Sequence, residues 1–169
     1  MIYKWKCVIL GDPAVGKTSL VRHYCDGYFQ ESYLTTIGVS FMRKEINYKD
    51  STVVLQLWDI GGQAMFSSVR SNYLKGTHAA MIMFDLTRKG TLVSVNRWYE
   101  DVVRVAKQIP VILVANKSDL PHNPGLIKKA EKIAERWNCE LIITSAKTGD
   151  HMNEAFKTMT REIFETHEI

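Results

Sequence analysis

The chain has 169 residues, 46% of them hydrophobic and 24% charged, which suits one soluble globular domain over residues 1–169. A net charge of +4 is too mild to point to nucleic acid, and three widely spaced cysteines, Cys7, Cys25 and Cys139, make no metal-type pair and read as reduced, largely buried thiols. No apolar run approaches a membrane span, and neither a signal-peptide layout nor a lipidation signal is present, so a cytoplasmic chain without membrane insertion is expected; a removed lipidated tail would read the same.

In chain order, Trp5 to Leu10 reads as a buried strand. "TSLVRHYCDG" reads as a helix, with Gly27 placed to stop it. Gly27 to Gly38, "GYFQESYLTTIG", has neither helical nor strand period, and a loop that long in a compact domain is usually functional or disordered. Val39 to Tyr48 and Thr52 to Asp59 read as two extended segments joined by "KDS". "AAMIMFDLT", "PVILVANKSD" and "CELIITSAK" hold short apolar strands of the central parallel kind. Between them run helical stripes: Leu92, Val95, Tyr99, Val102, Val103 and Ala106; then Leu126, Ala130, Ile133, Ala134 and Trp137; then Met152, Ala155, Phe156, Met159 and Ile163. These stripes are core faces. The five histidines show no metal-ligand spacing.

The alternation implies an open, mostly parallel α/β sheet with one antiparallel pair. Ligands of such sheets bind outside the carboxyl ends of the strands. Five places qualify: after Leu10, around Thr36, after Trp58, after Val114 and after Ile143.

At the first, Gly11 to Thr18 fits G-x-x-x-x-G-K-[ST] without a mismatch, between a predicted strand and a predicted helix. Gly16 lets the backbone approach phosphates, loop and helix amides point at negative charge, Lys17 reaches the β- and γ-phosphates, and Thr18 offers its hydroxyl to Mg²⁺. The competing reading is a chance glycine-rich turn. The loop says nucleoside triphosphate but not which base.

Asn116, Lys117 and Asp119 follow the strand "VILVA". A carboxylate there accepts two hydrogen bonds from guanine, at N1–H and the N2 amino group, whereas adenine leaves it unpaired. Such a site can reject the analogue by roughly 10⁴-fold. Alone, "NKSD" is an ordinary loop; with the phosphate loop it becomes specific. "TSAK", Thr144 to Lys147, follows the next strand, and the Ala146 amide is a candidate for guanine O6. In "LQLWDIGGQAM", Leu55 to Met65, a strand ends in the carboxylate Asp59 and a pliable Gly61-Gly62-Gln63 follows. Alone it reads as a turn.

Taken in order, "GDPAVGKT", "TTIG", "WDIGGQ", "NKSD" and "TSAK" resemble the Ras superfamily of small GTPases over essentially the whole chain, and most resemble its Rab branch. The resemblance implies a three-layer P-loop NTPase fold. Its sheet has six strands, mostly parallel with one antiparallel edge strand, and carries helices on both faces. It implies nucleotide contacts from Ala14, Val15, Gly16, Lys17, Thr18, Ser19, Phe29, Tyr33, Thr36, Gly62, Asn116, Lys117, Asp119, Ser145, Ala146 and Lys147. Mg²⁺ would be held by Thr18, Thr36 and Asp59. Phe29 would lie against guanine and Tyr33 would close over the phosphates. Thr36 and the Gly62 amide would sense the γ-phosphate of GTP, and Gln63 would orient the attacking water. Phe41, Trp58 and Tyr73 match the positions of the Rab effector-reading aromatics, although each alone reads as core packing.

The implied function is a slow GTP hydrolase, cycling between GTP and GDP, monomeric, and used as a switch in trafficking-type regulation. The implied partners are effectors, an exchange factor and an activating protein. Two alternatives stay open: a GTP-loaded scaffold that barely hydrolyses, and an ATP-using P-loop kinase, which "NKSD" and the lack of an arginine-rich lid argue against. The chain departs from the family pattern in four places. Ala64 replaces a glutamate linked to exchange. Ile60-Gly61 replaces Thr-Ala and resembles the Arf branch. Thr35 replaces a frequent residue before the switch threonine. Pro13 occupies space near the γ-phosphate where a partner's arginine would enter.

Overall fold

The computed structural model describes residues 1–25, 32–34, 38–62 and 67–167. Phe29, Thr35, Thr36, Gln63, Ala64 and the helix stop at Gly27 lie outside the described residues.

The elements are β1 (Ile2–Gly11), α1 (Lys17–Tyr24), β2 (Ser32–Leu34), β3 (Val39–Tyr48), β4 (Ser51–Ile60), α2 (Ser67–Leu74), β5 (Ala79–Asp85), α3 (Lys89–Ala106), β6 (Val111–Asn116), α4 (Pro124–Trp137), β7 (Glu140–Ile143) and α5 (Met152–Thr166). They build one sheet in the order β2-β3-β4-β1-β5-β6-β7. β1 pairs in parallel with β4 on one side and β5 on the other, and β5, β6 and β7 continue in parallel. β3 runs antiparallel to β4. The chain leaves β4 and crosses to β5 on the far side of β1, so a crevice opens at the carboxyl end of β1.

Strand alternation sorts the core into two layers. Cys7 and Ile9 of β1, with Met81 and Met83 of β5, face Leu20 and Val21 of α1 and Phe156, Met159 and Ile163 of α5. Val8 and Leu10, with Ala80, Ile82 and Phe84, face Leu92, Val95, Trp98 and Val102 of α3 and Leu126, Ala130 and Ala134 of α4. Every residue of β5 is buried, as a central strand covered on both faces requires.

Several sequence expectations are corrected. β1 is longer than Trp5–Leu10, because Ile2 to Lys4 keep pairing with β4. The loop before Gly38 contains β2, three residues antiparallel to β3, so a short seventh strand adds to the six expected. Pairing along an open strand edge is a backbone matter and needs no hydrophobic period. Ser51 belongs to β4, leaving a two-residue turn in which Lys49 has φ 51°. α2 has no apolar stripe to betray it; of its side chains, Leu74 and Arg70 are buried. On α3 the buried face is Thr91, Leu92, Val95, Trp98 and Val102, while Val103 is 46% exposed. One residue turns a helix by roughly 100°, which carries Val103 off the face that Val102 occupies.

The cysteines are free thiols, Cys7 and Cys25 buried and Cys139 half-buried. Among the described residues no helix is long and apolar enough to cross a membrane.

Candidate nucleotide site

β1 delivers the chain to the crevice at Gly11, and α1 leaves it at Lys17. Gly16, at φ 104°, caps α1 without a side-chain hydrogen bond. A Cβ on Gly16 would stand 2.2 Å from Asn116 Nδ2. No acidic residue occupies the first turn, so the helix presents free amides and its positive dipole end to the crevice. The Lys17 ammonium is buried and donates to Gly11 O (3.0 Å) and Asp12 O (3.3 Å). Burial pushes its pKa below the usual lysine range, while Asp59 and Asp12 pull it back. Ala14 and Ser19 are exposed and Val15 is buried beneath the loop.

Asp59 lies near the end of β4, 6% exposed, and the Thr18 hydroxyl donates directly to its carboxylate. Two hard oxygen donors side by side at the mouth of a phosphate loop fit Mg²⁺, which takes oxygen ligands. After Asp59 the chain is pressed against two backbones. Gly61 N–H donates to Gly38 O (2.6 Å), and a Cβ there would meet the same oxygen at 2.6 Å. A Cβ on Gly62 would lie 2.5 Å from Gly11 O and 2.9 Å from Pro13 Cδ. The glycines are therefore required by close approach, which the turn reading of this stretch does not provide.

The residues expected to read the base form a second, braced unit. Asn116, 1% exposed, donates from Nδ2 to Val15 O (2.9 Å) and accepts at Oδ1 from the Thr144 hydroxyl and the Ala146 amide (both 3.0 Å). The Ala146 amide, a candidate for guanine O6, thus already donates within the protein. Asp119 is exposed, and the Ser145 hydroxyl holds its Oδ1 at 2.7 Å. A carboxylate has about four lone-pair sites, so the fixed group can still accept two donors from a base. Lys147 is exposed.

Sequence reasoning missed two residues here. Asp85, at the tip of β5, has a side chain only 1% exposed and accepts from Lys117 Nζ (2.8 Å), Arg88 Nε (3.0 Å), and the Thr87 amide and hydroxyl (2.8 and 2.6 Å). Burial opposes its charge, but the bonds from Lys117, Thr87 and Arg88 outweigh it and hold its pKa at about 2. Arg88 also donates from Nη2 to Pro13 O (2.9 Å). The available signal was Asp85 itself, an acid closing an apolar strand at the ligand-binding end of the sheet.

Away from the crevice, Phe41 and Trp58 are direct partners across β3 and β4, with ring centroids 5.0 Å apart, and Trp58 lies 5.9 Å from Tyr73. The three aromatics form one contiguous strip. Tyr33 lies in β2, opposite Ser40.

The model of the Ras family matches residues 6–165. The chain belongs to the Ras family. This small GTPase domain is 40% identical over 168 residues to Ras-related protein Rab-32B of Dictyostelium discoideum, an alignment covering 95% of this chain and 65% of that relative. It is 34% identical to GTP-binding protein ypt1 of Schizosaccharomyces pombe (96% and 81% covered) and 34% identical to Ras-related protein Rab-1A of Dictyostelium discoideum (95% and 81% covered). The chain therefore spans slightly less than two thirds of the first relative. Members of the Ras family are GTPases that bind GTP and GDP with Mg²⁺, and this chain has the mostly parallel sheet with helices on both faces that goes with the family.

Proposed function

We propose that this chain, as one domain, is the nucleotide-operated switch of a Rab-like protein in membrane trafficking. In this reading it hydrolyses GTP slowly and binds effectors while GTP is bound. The observation that carries the reading is the brace from Asn116 Nδ2 to Val15 O (2.9 Å), which joins a guanine-type reader to a phosphate loop. Lys17, the loop amides of Ala14, Val15 and Gly16, and the α1 amides of Thr18 and Ser19 bind the phosphates. Asp119 takes the two guanine donors, Lys117, Ser145, Ala146 and Lys147 frame the base, and Phe29 and Tyr33 close over the nucleotide. Thr18, Thr36 and Asp59 hold Mg²⁺, which when bound neutralises phosphate charge. Gln63 orients the attacking water, and Thr36 and the Gly62 amide register the γ-phosphate. Without a stabilising arginine, turnover is on the order of 10⁻⁴ per second.

The GTP-bound surface pairs with effectors through Phe41, Trp58 and Tyr73, and an exchange factor and an activating protein set the cycle. The domain works as a monomer in the cytoplasm or at the cytosolic face of membranes, without nucleic acid. The position of Pro13 beside Gly62 favours one second reading, a hydrolysis-impaired GTP-loaded scaffold. Single-turnover cleavage of bound GTP with Mg²⁺, comparing the chain with Gln63→Leu, tests both. Slow cleavage that collapses in the variant supports the switch. Equal rates remove Gln63 from the chemistry, and no cleavage in either leaves the scaffold.

A further inference from the structure

The geometry points to Arg88 as a positioning residue: a strut that aims the Ala14 amide at the phosphates and ties the phosphate loop to the base-reading lysine through Asp85.

In a trans peptide the carbonyl and the following N–H point in opposite directions. Asn116 Nδ2 holds Val15 O on the protein side, so the Gly16 N–H turns the other way, toward the crevice. Arg88 does the same one turn of loop earlier. Its Nη2 holds Pro13 O at 2.9 Å, which directs the Ala14 N–H inward. Pro13 makes this brace matter more. It has no amide of its own, so the first donor after it is Ala14, which sits in the left-handed region at φ 63°. A non-glycine residue held there needs its surroundings to hold it.

The strut is anchored, not loose. Arg88 Nε donates to Asp85 Oδ2 at 3.0 Å, and the same oxygen receives Lys117 Nζ at 2.8 Å. Asp85 is itself fixed by both the amide and the hydroxyl of Thr87. A planar guanidinium bridges two acceptors at fixed angles; an ammonium on a flexible stem does not. Arg88 is also the N-cap of α3, but it serves the helix by its backbone: the Thr91 amide donates to Arg88 O at 3.0 Å. Its side chain is 45% exposed. Replacing the side chain leaves the cap and the fold in place.

The inference rests on the nucleotide reading of this loop, and the test separates the two. Release of a fluorescent GDP, and competition by GDP and by GMP, are measured on the unmodified chain, Arg88→Ala and Arg88→Lys. Loop amides cradle the α- and β-phosphates, and GMP lacks the β-phosphate. Losing one charge-assisted brace is expected to speed GDP release roughly tenfold in both variants. GMP affinity should change less than about twofold, because Lys117 keeps its own bond to Asp85. Unchanged GDP release in Arg88→Ala overturns the strut. So does equal weakening of GDP and GMP, which marks general loosening. Restoration of release by Arg88→Lys also overturns it, since charge alone would then suffice. Failure of the unmodified chain to bind GDP is a different result: it removes the nucleotide reading and the strut with it.

Discussion

Asn116 is expected to stabilise the domain before any ligand arrives. Truncation to alanine leaves three buried groups without their partner: Val15 O, the Thr144 hydroxyl and the Ala146 amide. A net hydrogen bond contributes about 1 kcal/mol, and a buried group left unsatisfied costs about 1–3 kcal/mol. Water will reach part of the space, so the sum for Asn116→Ala is about 3–5 kcal/mol. Urea unfolding of the chain stripped of nucleotide and Mg²⁺ measures this directly, with the midpoint falling and the slope unchanged. Excess GDP should widen the gap, because a ligand stabilises only to the extent that it still binds. A loss below about 1 kcal/mol in the stripped protein would refute the reasoning, and Asn116 would then act only through the ligand.

Four further outcomes are expected. Gly61→Ala should cost about 1–3 kcal/mol in thermal unfolding, because the added methyl meets Gly38 O; an unchanged midpoint means the Gly38–Gly61 contact is not rigid. The folded pKa of Asp85 is depressed from 3.8 to about 2, so its stabilisation is present above the unfolded value and lost as pH falls through the folded one. The advantage of the unmodified chain over Asp85→Asn should thus shrink by about 2 kcal/mol between pH ~5 and pH ~2, and a constant gap in urea midpoints counts against it. On α3, Trp98→Ala should cost about 3–5 kcal/mol and Val103→Ala under about 0.5, by urea unfolding; similar losses at both positions contradict the observed face. Pro13→Gly should raise the stimulation of GTP cleavage by a matched activating protein, and no increase rules out steric hindrance by the ring.

The strand-to-helix setting of the phosphate motif and the mostly parallel sheet were legible because each leaves a short-range signal in the sequence. Gly16, Lys17 and Thr18 stand in a fixed spacing where a strand gives way to a helix, and the unbroken apolar runs Cys7 to Leu10 and Ala79 to Phe84 declare strands covered on both faces. What failed depends on through-space partners. Arg88 looks like any surface arginine until Pro13 O is beside it. Trp98 shares the helical period of Leu92, Val95 and Val102, and what its position in the sequence does not show is that its indole N–H donates to Asp12 Oδ1 (3.1 Å) across 86 residues. Gly61 appeared as flexibility, yet its lack of a side chain is a matter of room under Gly38.

The brace between Asn116 and Val15 gives the crevice the character of a chelator. In the proposed switch, one braced frame would grip both base and phosphates, so once either end of the nucleotide docked, the other would bind at a high effective concentration. Escape then requires both grips to open together, and rebinding of one end defeats most attempts. An exchange partner therefore has no need to dismantle the whole crevice. Holding one grip open long enough turns a two-point ligand into a one-point ligand, and the remaining grip is too weak to keep it.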